Sequence, residues 1–140
     1  MRRIACALAL ASSAATAAPL EIHEVAHGVF VHVGATLALD APGHDDIANI
    51  GFVVGERCVA VIDTGGSVRT GRALREAIVA RTKVPICYVI NTHVHVDHVL
   101  GNAAFEPDKP AFVGSATLGP AIEASRRFFM EHYPHDVETP

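Results

Sequence analysis

The stretch NTHVHVDH, residues 91–98, places three histidines and one aspartate within six residues, at His93, His95, Asp97 and His98. Neutral imidazole and carboxylate are both ligands for zinc and similar divalent ions. In an extended segment, residues two apart point to the same side, so His93 and His95 can bind one ion together. The chain then turns towards a helix, and Asp97 and His98 can bind a second ion nearby. The spacing therefore predicts two metal ions, each with two ligands in this segment.

A chance cluster and a polar surface loop are the two simpler explanations of this segment. The chain has nine histidines among 140 residues, and this spacing is expected by chance in roughly two of a thousand chains of that composition. The segment directly follows a buried apolar strand, which is unusual for a solvated loop. Active sites commonly lie at such carboxyl ends of strands. Metal binding is therefore the favoured interpretation.

The apolar pattern of the rest of the chain predicts an α/β fold. Short apolar runs predict strands at residues 28–35, 50–54, 58–62, 86–91 and 109–114. The run Gly55-Glu56-Arg57 is a short turn that makes a hairpin of the second and third strands. The near-continuous apolar character of these strands predicts a sheet covered on both faces. An antiparallel opening followed by strand–helix alternation predicts a mixed sheet with helices against it.

Two helices are expected between and after the later strands. Ser67 is suited to cap the first helix, in which Leu74 and Ile78 have helical spacing. We expect Ser115 to cap the second helix, which runs to about Glu131. Leu118, Ile122, Ser125 and Phe129 lie along one stripe of that helix.

Residues 1–17 have the order of a cleavable signal peptide. Arg2 and Arg3 precede an apolar run at residues 4–11, and Ala15-Thr16-Ala17 is a cleavage pattern. We therefore expect a periplasmic or secreted protein. The apolar run is too short to span a bilayer. The Lys and Arg residues form no basic run, so nucleic acid is not an expected partner.

Two cysteines, Cys58 and Cys87, follow the predicted signal peptide. Each lies in an apolar run, which favours free cysteines buried in strands. An exported protein meets an oxidising compartment, so a disulfide between the two stays an open alternative.

Two motifs resemble a known family. THVHVDH is similar to the H-x-H-x-D-H motif of the metallo-β-lactamase superfamily, and VIDTGG resembles its upstream aspartate motif. The longer pieces DIANIGFVVGERCVAVIDTGGS and CYVINTHVHVDHVLGNAAF most closely resemble exported quinoprotein relay system zinc metallohydrolases. The resemblance extends from about Gly28 to Met130.

The resemblance implies a role for each residue of these motifs. His93 and His95 would bind the first zinc, and Asp97 and His98 the second. Asp97 would also orient the catalytic nucleophile. Asp63 would orient the ligands without touching the metal, with helix capping as its alternative role. The implied fold is an αββα sandwich, of which residues 18–140 would form an incomplete, N-terminal part.

The resemblance also implies a reaction. The complete enzyme would be a zinc hydrolase that uses a metal-bound hydroxide on a small-molecule ester, thioester, lactone or amide. Iron or manganese could replace zinc, and a periplasmic quinoprotein pathway of alcohol oxidation is the implied context. Because the family draws its remaining ligands from a second half, we expect this chain alone to be inactive or weakly active. A non-catalytic metal-binding accessory protein and an iron-dependent persulfide dioxygenase are the alternatives.

Overall fold

A computed structural model of the chain describes residues 19–137, so the predicted signal peptide at residues 1–17 lies outside the described residues. Six strands form one sheet in the order β1 to β6. Their bounds are β1 His23–Ala26, β2 Val29–His32, β3 Ile50–Val54, β4 Val59–Ile62, β5 Ile86–Ile90 and β6 Ala111–Val113. The pairings from β1 to β4 are antiparallel, and β4–β5 and β5–β6 are parallel. The predicted α/β mixed sheet is confirmed.

Helices lie between the parallel strands, after the last strand, and in the connection from β2 to β3. They are α1 Val68–Arg81, α2 Val96–Val99 and α3 Leu118–His132, with 3-10 helices at His44–Asp46 and Leu100–Asp108. The Ser67 side chain accepts a hydrogen bond from the Thr70 amide, as predicted for the α1 cap. In the part of the chain from residue 19 to residue 137, no helix has the length and apolar content needed to cross a membrane.

Two local predictions are wrong. The α3 helix is capped at Thr117 instead of Ser115, because the Ser115 carbonyl accepts the Leu118 amide in a turn that precedes the helix. The strand expected at residues 28–35 is shorter and pairs with β1, which was not predicted. All four β1 residues are exposed at the sheet edge, so the strand lacks the apolar alternation that marks a buried one.

The core lies on one face of the sheet. Phe52, Val61 and Val89 are neighbours across β3, β4 and β5, and each is at most 1% exposed. Leu74 and Ile78 of α1 pack against this face and are equally buried. The 3-10 helix at residues 100–108 packs beside α1, where an ion pair joins Arg75 to Asp108.

The opposite face is only partly covered by residues 19–137. Val53, Ala60 and Tyr88 are register partners on that face, and the side chains of Val53 and Tyr88 are 39% and 44% exposed. The expectation that both faces are covered is therefore wrong for the described residues. The reason is that α1 and the 3-10 helix at residues 100–108 pack on the same side of the sheet.

A disulfide joins Cys58 to Cys87, with 5.4 Å between the two Cα atoms. It connects the residue before β4 to the second residue of β5, at the ends of these parallel strands opposite to the histidine cluster. The structure thus selects the alternative that the sequence left open, and the expectation of free, buried strand cysteines is wrong.

Candidate metal centre

The parallel pairing of β4 and β5 brings the two sequence motifs together. Ile62 and Ile90 are register partners at the carboxyl ends of these strands. The next residue, Asp63, donates its backbone N–H to the Ile90 carbonyl at 2.9 Å. Asp63 and the segment that begins at Thr92 therefore emerge at the same edge of the sheet, as active-site residues of parallel sheets commonly do.

Asp63 is the buried anchor of this edge. Its side chain accepts hydrogen bonds from the Thr92 amide at 2.8 Å, the Thr92 hydroxyl at 2.7 Å and Nδ1 of His98 at 2.8 Å. Asp63 is 2% exposed and has the left-handed φ of 55°, a conformation that aspartate tolerates better than most residues. It is not a helix cap, because Ser67 caps α1.

The imidazole ring of His93 lies against the rings of His95 and His98. The ring centroid of His93 is 4.6 Å from that of His95 and 4.0 Å from that of His98. From the spacing alone, His98 was expected to point away from the first pair. The turn into α2 instead brings it as close to His93 as His95 is.

The carboxylate of Asp97 faces His98. Their Oδ2 and Nε2 atoms are 3.4 Å apart. Because Nδ1 of His98 gives its proton to Asp63, Nε2 of a neutral ring is an acceptor, as is the carboxylate. Two facing acceptors are favourable only when a proton or a metal ion lies between them.

A preformed coordination sphere is not seen in the part of the chain that the structure describes. Among residues 19–137, no group of three or more His, Cys, Asp or Glu side chains is arranged to hold a metal ion. The chemistry of the donor set nevertheless fits a divalent ion, because three imidazoles and a carboxylate are neighbours at one sheet edge. His93, His95, Asp97 and His98 are the residues that could hold it.

The electrostatics of the cluster favour neutral imidazole at His93. Burial lowers the pKa of His93 below its usual value, and the neighbouring His98 and His95 rings lower it further. A histidine must be neutral to donate a lone pair to a metal. The His93 ring is therefore in its ligating form near neutral pH.

A second network, which the sequence did not predict, holds the backbone of His98. The His98 carbonyl accepts hydrogen bonds from the Thr64 amide at 3.0 Å and the Thr64 hydroxyl at 3.2 Å. The side chains of Asn91 and Asn102 bond to each other. Oγ1 of Thr64 also lies 2.9 Å from Oδ1 of Asn102, so its single proton is shared between this oxygen and the His98 carbonyl. The polar residues that follow the two strands were the only sequence signal for this network. The sequence did not show how they pair, because their partners are distant along the chain.

Gly66 lets the loop that carries Asp45 lie close to the histidine motif. A Cβ on Gly66 would lie 2.8 Å from the Cα of Asp45 and 3.2 Å from the Cα of Asp97. The Asp45 carboxylate accepts hydrogen bonds from three side chains, those of Ser67, Arg69 and Thr70. Burial opposes its ionisation, but these hydrogen bonds outweigh burial and lower the pKa of Asp45. The Asp45 loop is therefore fixed beside the cluster.

Two histidines outside the motif have structural partners. The His44 ring bonds to the Ala41 carbonyl and the Asp136 carboxylate. His32 is 6% exposed, and its Nε2 atom lies 2.6 Å from Oδ1 of Asp46. Neither contact belongs to the cluster of imidazoles at residues 93–98.

Residues 44–111 match the metallo-beta-lactamase superfamily. The matched range contains Asp63 and the whole histidine motif. The comparison with curated proteins found no match.

A solved structure with a similar fold is that of TMB-1, a metallo-beta-lactamase. The TM-score is 0.64 and the sequence identity is 22%, over 79% of this chain. This chain spans 49% of the TMB-1 chain, or about half its length. The likeness shows that the six-stranded mixed sheet has the metallo-beta-lactamase fold.

Proposed function

We propose that this chain forms part of a zinc-dependent hydrolase. The observation that carries the proposal is the meeting of His93, His95 and His98 beside the Asp97 carboxylate, at the sheet edge of a segment that matches the metallo-beta-lactamase superfamily. The substrate class that we propose is a small-molecule ester, thioester, lactone or amide. Iron and manganese are alternative metals for the same donors.

The proposed residues have distinct tasks. The imidazoles of His93 and His95 would hold one ion, and the carboxylate of Asp97 with the imidazole of His98 would hold a second. When bound, the metal supplies an acidified water and a positive charge for the developing oxyanion. Asp63 keeps His98 oriented through its 2.8 Å hydrogen bond to Nδ1.

Asp97 is the residue that we propose to act directly on the reactants. Its side chain is 16% exposed, so one carboxylate oxygen can accept a hydrogen bond from the attacking water. That bond would orient the water towards the substrate carbonyl carbon. The neutral His93, favoured by burial and by its two imidazole neighbours, keeps the site able to bind metal near neutral pH.

The proposed setting of the reaction is the periplasm, in a pathway linked to quinoprotein alcohol oxidation. The support for it is the signal-peptide pattern of residues 1–17 and the resemblance of the longer motifs to quinoprotein relay system hydrolases. The Cys58–Cys87 disulfide is compatible with an oxidising compartment.

The experiment is a hydrolysis assay on the metal-reconstituted chain with chromogenic ester, thioester, lactone and β-lactam substrates. Because the chain alone is expected to be at most weakly active, we expect weak turnover that requires zinc, is lost with a chelator and falls further in Asp97→Asn. A His23→Ala variant is the matched control, because His23 is an exposed residue of the edge strand β1. Turnover that survives the chelator, or that Asp97→Asn leaves unchanged, would contradict the proposed zinc hydrolase, whereas tightly bound metal without turnover of any substrate would favour the metal-binding accessory protein.

A further inference from the structure

The Thr92 hydroxyl lies between Asp63 and His93. Its Oγ1 atom is 2.7 Å from Oδ2 of Asp63 and 2.9 Å from Nδ1 of His93. A hydroxyl has a single proton to donate, and an ionised carboxylate can only accept. The Thr92 proton therefore points to Asp63, and the Thr92 oxygen is left to accept a hydrogen bond from Nδ1–H of His93.

The same carboxylate also decides the proton position on His98. Nδ1 of His98 lies 2.8 Å from Oδ2 of Asp63, so that nitrogen must donate. A neutral imidazole with its proton on Nδ1 has its lone pair on Nε2. The centroids of the His93 and His98 rings are 4.0 Å apart. In both rings, Nε2 is then the nitrogen whose lone pair is free to bind a metal ion.

We propose that Thr92 is a positioning residue that transmits the orientation set by Asp63 to His93. One buried carboxylate thereby fixes the tautomers of two imidazoles, His98 directly and His93 through the hydroxyl. The inference rests on the proposed function only for its consequence, that Nε2 is the atom offered to the metal. The hydrogen-bond order itself is a property of the metal-free chain.

The structure offers a matched pair of variants. Thr92→Val has nearly the same shape, lacks the hydroxyl and keeps the backbone N–H that donates to Oδ1 of Asp63 at 2.8 Å. Thr92→Ser keeps the hydroxyl and loses only a methyl group. Because Thr92 is exposed, little apolar burial changes in either variant. The two variants therefore separate the hydrogen bond from the packing.

The test is a long-range ¹H–¹⁵N spectrum of the ¹⁵N-labelled, metal-free, full-length chain at mildly alkaline pH. Protonated and unprotonated ring nitrogens resonate in well-separated ¹⁵N ranges, and a His93→Gln variant assigns the His93 signals. We expect Nδ1–H at His93 in the native chain and in Thr92→Ser. Thr92→Val should shift His93 to Nε2–H or to a mixture, while His98 stays Nδ1–H and serves as an internal control of folding.

Zinc affinity, measured by competition with a chromophoric chelator, is the second readout. We expect zinc to bind about 10- to 100-fold more weakly to Thr92→Val and with native-like affinity to Thr92→Ser. Nε2–H at His93 in the native chain, a His93 tautomer that does not respond to Thr92→Val, or native-like affinity of Thr92→Val would overturn the inference. Tautomers that respond while no variant binds zinc would instead refute the proposed function and leave the hydrogen-bond order intact.

Discussion

Removal of the Cys58–Cys87 disulfide should destabilise the fold by several kcal/mol. The two cysteines are 29 residues apart in sequence. A crosslink stabilises the fold because it lowers the conformational entropy of the unfolded chain. For a loop of this length, the chain-entropy model gives a stabilisation of about 3.5 kcal/mol at 25 °C. Domains of this size have unfolding free energies of about 5–15 kcal/mol. The double variant Cys58→Ser/Cys87→Ser should therefore lose a large fraction of its stability.

Urea unfolding followed by circular dichroism measures this loss. We expect a fall of about 3–4 kcal/mol in the double variant, together with a larger m-value because the unfolded chain becomes more expanded. The native chain in reductant should reproduce the stability of the variant, which separates the crosslink from any effect of the new serines. A loss below about 1 kcal/mol would refute the view that this bond constrains the unfolded chain.

Two further predictions concern stability. The hydrogen bond to Asp136 raises the pKa of His44 above 6.5. Protonated His44 therefore contributes its full stabilisation of the fold below that pH, and this contribution is lost as the pH rises through the folded-state pKa. His44→Gln should therefore cost more unfolding free energy at pH 5 than at pH 8 by urea denaturation, and an equal cost at both would contradict this. Gly101→Ala would place a Cβ 2.1 Å from the Thr64 carbonyl oxygen and should cost about 1–3 kcal/mol in thermal unfolding. The added Cβ of Gly119→Ala meets no atom within 4 Å, so this variant should keep native stability. Equal melting temperatures for both alanine variants would contradict the predicted steric clash at Gly101.

The elements that sequence predicted well depend on local signals. The β3–β4 hairpin follows from two apolar runs around a short polar turn, and the Ser67 cap follows from the residue's own side chain. The stripe on α3 is also confirmed, since Leu118 and Phe129 are its buried residues. Each signal lies within a few residues of the structure that it specifies.

The parts that sequence did not predict depend on distant partners. The β1 strand is defined by its pairing with β2, since its side chains are all exposed. The Cys58–Cys87 bond joins residues that only the parallel pairing of β4 and β5 brings together. The 3-10 helix at residues 100–108 packs beside α1 through close contacts at Gly71 and Gly101. No local sequence pattern predicts these contacts.

The candidate site divides in the same way. The dense motif at residues 93–98 and its strand-end position were visible in sequence. The hydrogen bonds that organise it were not, because Asp63 and Thr92 are 29 residues apart. The closeness of His98 to His93 depends on the turn into α2, where the spacing alone suggested two separate pairs.

The central claim is that the cluster at residues 93–98 binds a divalent metal, and equilibrium dialysis with elemental analysis tests it most directly. The full chain would be dialysed against zinc, and the retained metal counted per chain. We predict stoichiometric zinc in the native chain and in His23→Ala, and a loss of retained zinc in His93→Ala/His95→Ala. A native chain that retains no stoichiometric zinc, iron or manganese, or a double variant that retains as much as the native chain, would contradict it.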